Sequence, residues 1–171
     1  MNRFTWLTAA LILAGLIIFL SIGLESNRIF FTDDMESAKE GNNQRTHTIF
    51  HSAHHSTFVS PDSPTGRSFI ARYKELGNHP FRKIRISFYV YEMDPESVSS
   101  MVFEVRSAKD ETLYYETMKT YEMIRPLRWS LISREFDLKG LNDPDFEFRI
   151  YPLCQGTSEA FFDDYLIEFY Y

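Results

Sequence analysis

Residues 83–91 read KIRISFYVY, and the alternation in that stretch decides the fold. Ile84, Ile86, Phe88 and Val90 fall on one side of an extended chain, while Arg85, Ser87, Tyr89 and Tyr91 fall on the other. That period of two is a strand with one face toward a core and one toward solvent, and no helical stripe fits it. The flanking chain repeats the pattern. Residues 101–106 and 112–117 read as a hairpin whose turn, 107–111, has Lys109 and Asp110 at its tip. Residues 129–138 (WSLISREFDL) follow, then a polar break at 139–145 containing Gly140 and Pro144. Phe146, Phe148 and Ile150 alternate with Glu147, Arg149 and Tyr151, and the terminal AFFDDYLIEFYY at 160–171 is also extended.

Upstream, residues 46–59 hold short strand candidates, residues 60–66 (SPDSPTG) form a turn broken by two prolines and a glycine, and residues 67–74 alternate again. Eight or nine strands with turn signals about every 8 to 12 residues predict an all-β protein, an antiparallel β-sandwich. No helical stripe, internal repeat or low-complexity tract is visible after residue 25.

Ahead of this lies residues 4–24, FTWLTAALILAGLIIFLSIGL, which hold no charged side chain. At about 1.5 Å of rise per residue, about 20 helical residues cross a hydrocarbon core of roughly 30 Å. The segment is read as one N-terminal transmembrane anchor, with Trp6 near an interface and Arg3 holding the start in the cytoplasm, or as a secretory signal with Ser21 and Gly23 near a cleavage site. Both readings put the rest of the chain outside the cytoplasm. The expected organisation is an anchor or signal at 1–24, a linker at 25–29 and one sandwich domain at 30–171.

Beyond Arg3 the chain carries 17 basic against 24 acidic side chains, a formal charge of −7. That balance argues against nucleic acid, whose phosphates need a concentrated basic face. The single cysteine, Cys154, cannot form an internal disulfide and reads as a buried, inert thiol.

The order of these features resembles the galactose-binding-like jelly rolls found as non-catalytic carbohydrate-binding modules. It is similar also to the C-terminal sandwich domains of some bacterial membrane-associated glycosyltransferase-like proteins. The likeness is carried by FTDDME at 31–36, His55-Ser56, Gly66-Arg67-Ser68-Phe69, KIRISFYVY, the hairpin at 101–117, Trp129 with Phe136-Asp137-Leu138, FEFRIY at 146–151 and FFDDYLI at 161–167. It spans residues 30–171. Where that group often places an Asn- or Gly-rich aromatic turn, this chain has Pro152-Leu153-Cys154-Gln155-Gly156, so loop properties do not transfer there.

The resemblance implies a structural calcium, shared by an acid near the first strand and one in the last: here Glu36 with Asp163 or Asp164. Carboxylates and backbone carbonyls suit that ion, which takes six to eight oxygen ligands. Successive strand residues face opposite ways, so only one of Asp163 and Asp164 is expected to face it. Read without the resemblance, Asp33, Asp34, Asp163 and Asp164 are solvated charges that discourage edge pairing.

His47, His51, His54 and His55 fall in strand-favouring surroundings that separate their rings, so they read as a polar surface strand rather than a transition-metal site. No nucleophile elbow, phosphate loop or dinucleotide fingerprint is present, and nothing selects a pair of catalytic carboxylates. Phe, Trp and Tyr make up 16% of the chain. Tyr89, Tyr91, Tyr114, Tyr115, Tyr121 and Trp129 are the candidate sugar-stacking rings, with Trp129 itself read as a core plug.

The expected function is a membrane-anchored, non-catalytic, extracytoplasmic module that binds carbohydrate or another cell-envelope component. The expected location is the bacterial inner membrane, crossed once, with the sandwich periplasmic or extracellular, or secreted if the first segment is cleaved. The alternative is a structural or assembly accessory that docks a protein partner without binding sugar; an enzyme comes third. Two co-planar exposed rings would favour sugar, a flat apolar patch a protein partner, and two facing buried carboxylates catalysis.

Overall fold

The computed structural model describes residues 27–37, 44–77, 79–95 and 97–171. The apolar segment at 4–24 lies outside the described residues. Ten strands run in chain order: β1 Arg28–Asp33, β2 Arg45–Thr46, β3 Ser56–Val59, β4 Phe69–Arg72, β5 Lys83–Glu92, β6 Ser99–Arg106, β7 Thr112–Lys119, β8 Ser130–Asp137, β9 Glu147–Cys154 and β10 Ala160–Tyr170. The two-residue β2 takes the count past the eight or nine expected. β1 begins at Arg28, inside the segment 25–29 expected as a linker, because Arg28 and Ile29 pair with Tyr170 and Phe169. Among the described residues the helical elements are two single 3-10 turns, Tyr73–Leu76 and Thr120–Glu122.

The strands form two antiparallel sheets. The larger has the order β2-β3-β10-β5-β8, with β1 also paired to β10; the smaller has the order β4-β9-β6-β7. β10 is central. One side pairs with β5, while the other pairs first with β3, at Ala160 to Phe162, and then with β1, from Tyr165 onward. The handover falls at a break in register between Asp163 and Leu166, where Asp164 takes a φ of 50°. This is a β-bulge, and aspartate tolerates the left-handed region better than a branched residue would.

The core lies between the sheets and follows the alternation read from sequence. Ile84, Ile86, Phe88 and Val90 are all buried, and they meet Met101, Phe103, Val105, Phe148 and Ile150 of the smaller sheet in one cluster. Aromatic rings interdigitate across the layers: Phe103 lies 5.2 Å from Phe136, and Phe148 lies 5.6 Å from Phe169, edge-on. At one open edge Arg134 of β8 reaches Glu116 of β7 at 2.9 Å, a surface tie between the sheets. Cys154 is free and buried, as expected.

The hairpin β6–β7 pairs as read, with Asp110 at its tip bound by Arg106 at 2.8 Å. The C-terminal Phe169 and Tyr170 are paired on both sides. The histidine segment differs from expectation: residues 47–55 form a loop between β2 and β3, not a strand. Carboxylates from two other segments bind its backbone N–H groups and hold it in that form.

Candidate functional site

Because the even-numbered residues of β5 point into the core, Arg85, Ser87, Tyr89 and Tyr91 point outward from the larger sheet. Antiparallel partners in register share a face, so the outer surface can be read row by row. At one end Phe58, Phe161 and Tyr91 lie side by side on β3, β10 and β5, and Trp129, immediately before β8, closes the row. Ring centroids step along it at 6.4, 6.4 and 5.7 Å. The next row is Asp163, Tyr89 and Leu131. His51 stacks on Tyr89 at 3.6 Å and 15°, and meets Trp129 edge-on at 5.6 Å.

Further along, Ser87 and Ser133 share a hydrogen bond of 2.8 Å. The face then becomes ionic. Arg28 pairs with Glu168, Arg85 donates its Nε to Glu135 at 3.1 Å and lies 3.5 Å from Glu168, and Lys83 lies 3.4 Å from Glu135. One sheet face thus has a ring-rich end and a charge-laddered end.

Beside Trp129 opens a groove of about 620 Å³, lined by Met123, Ile124, Arg125, Arg128, Trp129 and Leu131 among others. Glu92, the last residue of β5, fixes both ends of the groove's loop. Its buried carboxylate accepts hydrogen bonds from Thr120 Oγ1 at 2.7 Å and Ser99 Oγ at 2.8 Å, and its carbonyl accepts the Leu127 N–H at 2.8 Å. Burial pushes the Glu92 carboxyl above its ordinary range, against those hydroxyl donors. A second hollow, of about 330 Å³, lies on the smaller sheet among Arg72, Arg106, Arg149, Asp110, Asp145 and Glu147, where bases and acids compensate each other.

Glu36, Asp163 and Asp164 all serve the histidine loop. Asp163 Oδ2 accepts the N–H groups of His51 and Ser52 at 2.9 and 3.2 Å, and its Oδ1 accepts the Asp164 N–H at 2.8 Å. Asp164 binds His51 Nδ1 at 2.7 Å and the Ser52 hydroxyl at 2.6 Å. Glu36 accepts the N–H groups of His54 and His55 at 2.8 and 2.7 Å and lies 3.0 Å from His55 Nδ1. Glu36 offers its carbonyl to Arg45 at 2.8 Å, and its neighbours in the chain meet the buried Arg67, whose Nε lies 2.8 Å from Asp33 Oδ2 and which also donates to the Ser37 carbonyl at 2.6 Å.

Asp163 and Asp164, neighbours in the strand, both reach the same loop. The bulge at Asp164 interrupts the alternation, and both side chains reach His51 and Ser52. As placed, the three carboxylates do not fit a shared calcium, because N–H and O–H hydrogens point at the oxygens an ion would need. Among the described residues no group of three or more His, Cys, Asp or Glu converges as metal ligands would.

No family model matches the chain, and no curated protein sequence matches it. Solved structures do. The xylan-binding module CBM15 superposes with a TM-score of 0.54 at 11% identity, covering 84% of this chain and 97% of the other. The C-terminal family 22 carbohydrate-binding module of a Clostridium thermocellum protein gives 0.53 at 10% identity, with 84% and 95% covered. The second family 22 xylan-binding domain of a Paenibacillus barcinonensis protein gives 0.51 at 16% identity, with 80% and 97% covered. The two-layered β-sandwich fold is the one these structures share. At such identities the likeness concerns the fold alone, and the jelly-roll arrangement implied by the sequence motifs is the one found.

Within this module fold the candidate rings separate by face. Tyr114 packs against the core, and Tyr115 stands half-exposed on the outer face of the smaller sheet. Tyr89, Tyr91 and Trp129 share the outer face of the larger sheet. Trp129 is therefore no core plug: it belongs to no part of the interior cluster and contacts Tyr91 and His51 instead. Phe58 and Phe161 join the row although neither is among the candidate stacking rings; the outward alternation of β10 carries a signal for Phe161. His51 gave no sequence signal as a stacking ring, because its position depends on a loop folded over another strand. The rings at the module's surface are not co-planar, since Trp129 and Tyr91 tilt by 55°. Among the described residues the buried acids are Glu92, Glu104, Asp163 and Glu168, and none of them lines the groove beside Trp129.

The module's loop clasp has a pH signature. Burial pushes Asp163 up to about 6, against the three N–H donors it accepts, whereas the hydrogen bond from His55 holds Glu36 down at about 2. A raised acid stabilises the fold at low pH, and that contribution is lost as pH rises from about 4 through about 6, amounting to roughly 3 kcal/mol. Glu36 acts in the opposite sense: its contribution is present above its ordinary range and is lost only as pH falls through about 2. Urea denaturation of the full chain at pH 4 and pH 7 should show this decline, and Asp163→Asn should abolish most of it. An identical pH dependence in wild type and variant would show that Asp163 does not titrate in this window.

Proposed function

We propose that this chain is an exported, membrane-tethered, non-catalytic module that binds a single glycan chain of the xylan type across Trp129 and Tyr91. The observation that carries the reading is the Trp129–Tyr91 pair, tilted by 55° on an open sheet face beside a groove. Rings tilted in this way suit a chain whose successive sugars rotate, whereas a flat polysaccharide surface asks for a co-planar platform. Two of the structures sharing the fold, CBM15 and the second Paenibacillus barcinonensis domain, are xylan-binding, which supports the same ligand class.

In this reading the aromatic faces stack on sugar rings, and the hydroxyls of Ser87 and Ser133 supply hydrogen bonds. The carboxylates brace the histidine loop, take the place of the calcium expected at Glu36, Asp163 and Asp164, and do no chemistry. Residues 4–24 hold the module to the bacterial inner membrane, with the sandwich outside the cytoplasm. A second reading, docking of an envelope protein, draws on the exposed Met123, Leu127 and Leu131 around the groove.

Affinity electrophoresis of the full chain in detergent, through gels containing soluble xylan, should show strong retardation. Trp129→Ala should weaken it about tenfold or more, as loss of a central aromatic anchor does, and Tyr91→Ala less. Retardation by no polysaccharide would favour the protein-partner reading instead. Addition of EGTA should leave the melting temperature unchanged, and a fall of several degrees restored by calcium would assign an ion to the clasp. Expressed in a bacterial host, the full chain should sediment with membranes and be digested by protease added to spheroplasts; protection would place the sandwich in the cytoplasm.

A further inference from the structure

The groove beside Trp129 contains two guanidinium groups without counter-ions. Arg125 and Arg128 are exposed and line it, and neither has a hydrogen bond or ion pair among the described residues. This is unusual for the chain. Arg28, Arg67, Arg72, Arg85, Arg106, Arg134 and Arg149 are each ion-paired, and Arg45 donates to the Glu36 carbonyl. Among the described residues Arg82 also has no ion pair, but its backbone is hydrogen-bonded to Tyr170 and Leu138. The one acid lining the groove, Glu122, is engaged at 3.1 Å by Lys119. In a domain with a formal charge of −7 beyond Arg3, cations without a partner among the described residues are thus gathered beside the half-buried Trp129.

The geometry points to a glycan that carries carboxylate groups, a polymer bearing uronic acid substituents, with the carboxylate held by Arg125 and Arg128 while a neighbouring sugar stacks on Trp129. This rests on the glycan reading above and names the ligand class of that same site. A guanidinium offers a planar fork of N–H donors that matches a carboxylate, and it gives up its hydration more readily than an ammonium. A free carboxylate on the polymer would complete a charge pairing that the described residues leave open. The loop is tied at Thr120 and Leu127 by Glu92, so the arginines project from a fixed support.

The test compares binding of the full chain in detergent to glucuronoxylan and to the same polymer after carboxyl reduction, at low and at physiological salt. The intact polymer should bind about tenfold more tightly at low salt, with the preference shrinking as salt rises. The double variant Arg125→Gln, Arg128→Gln should keep its melting temperature and its affinity for the reduced polymer while losing the preference. Equal binding of both polymers by the wild type would overturn this inference and leave the glycan reading intact. Failure to bind either would overturn both. Competition by polyphosphate as strong as by glucuronoxylan would also overturn it, because the groove would then be a general polyanion surface.

Discussion

Strand β10 is the constraint on which the remainder of the structure depends. It is hydrogen-bonded on both sides, so it cannot shift register without disrupting β5 on one flank and β3 and β1 on the other. The bulge at Asp164 lets one strand edge serve two partners in succession. It also brings two neighbouring carboxylates to a single loop, and that loop sets His51 over Tyr89. The position of a ring on the outer face is thereby tied to a backbone irregularity in the centre of the sheet.

The buried Asp163 makes this arrangement conditional on good hydrogen bonding. A carboxylate with no exposed surface is tolerated because the N–H groups of His51, Ser52 and Asp164 satisfy it. The Arg67–Asp33 pair is a second buried charge of this kind, beside Glu36 in the chain: Arg67 is only 3% exposed, lies 2.8 Å from the Asp33 carboxylate and donates to the Ser37 carbonyl. Removing one member of such a pair leaves a buried charge without compensation, which is generally costlier than never having buried it.

Much of the architecture could be read from alternation alone. Residues 83–91 place Ile84, Ile86, Phe88 and Val90 inside without ambiguity, and the hairpin of β6 and β7 follows from two apolar runs around a polar turn. The site was harder to read, for two physical reasons. Residues next to each other in a strand are assigned to opposite faces unless a bulge intervenes, and nothing in FFDDYLI distinguishes a bulged Asp164 from a regular one. Trp129 stands just outside its strand, where burial statistics favour the interior but the register places it beside Tyr91. The loop at 47–55 is composed of strand-forming residues, and only contacts distant in sequence overrule that local preference.

The register has one more consequence. Arg28, where the chain joins the sheet, aligns with Tyr170 and Lys83, whereas Tyr91 and Trp129 stand eight residues further along β5, about 25 Å away. A leash fastened to the start of β1 would therefore pull on the pole opposite the rings. Under the anchoring proposed above, the domain would be towed or tilted with its ring-bearing end left clear, held outward like the tip of a boom.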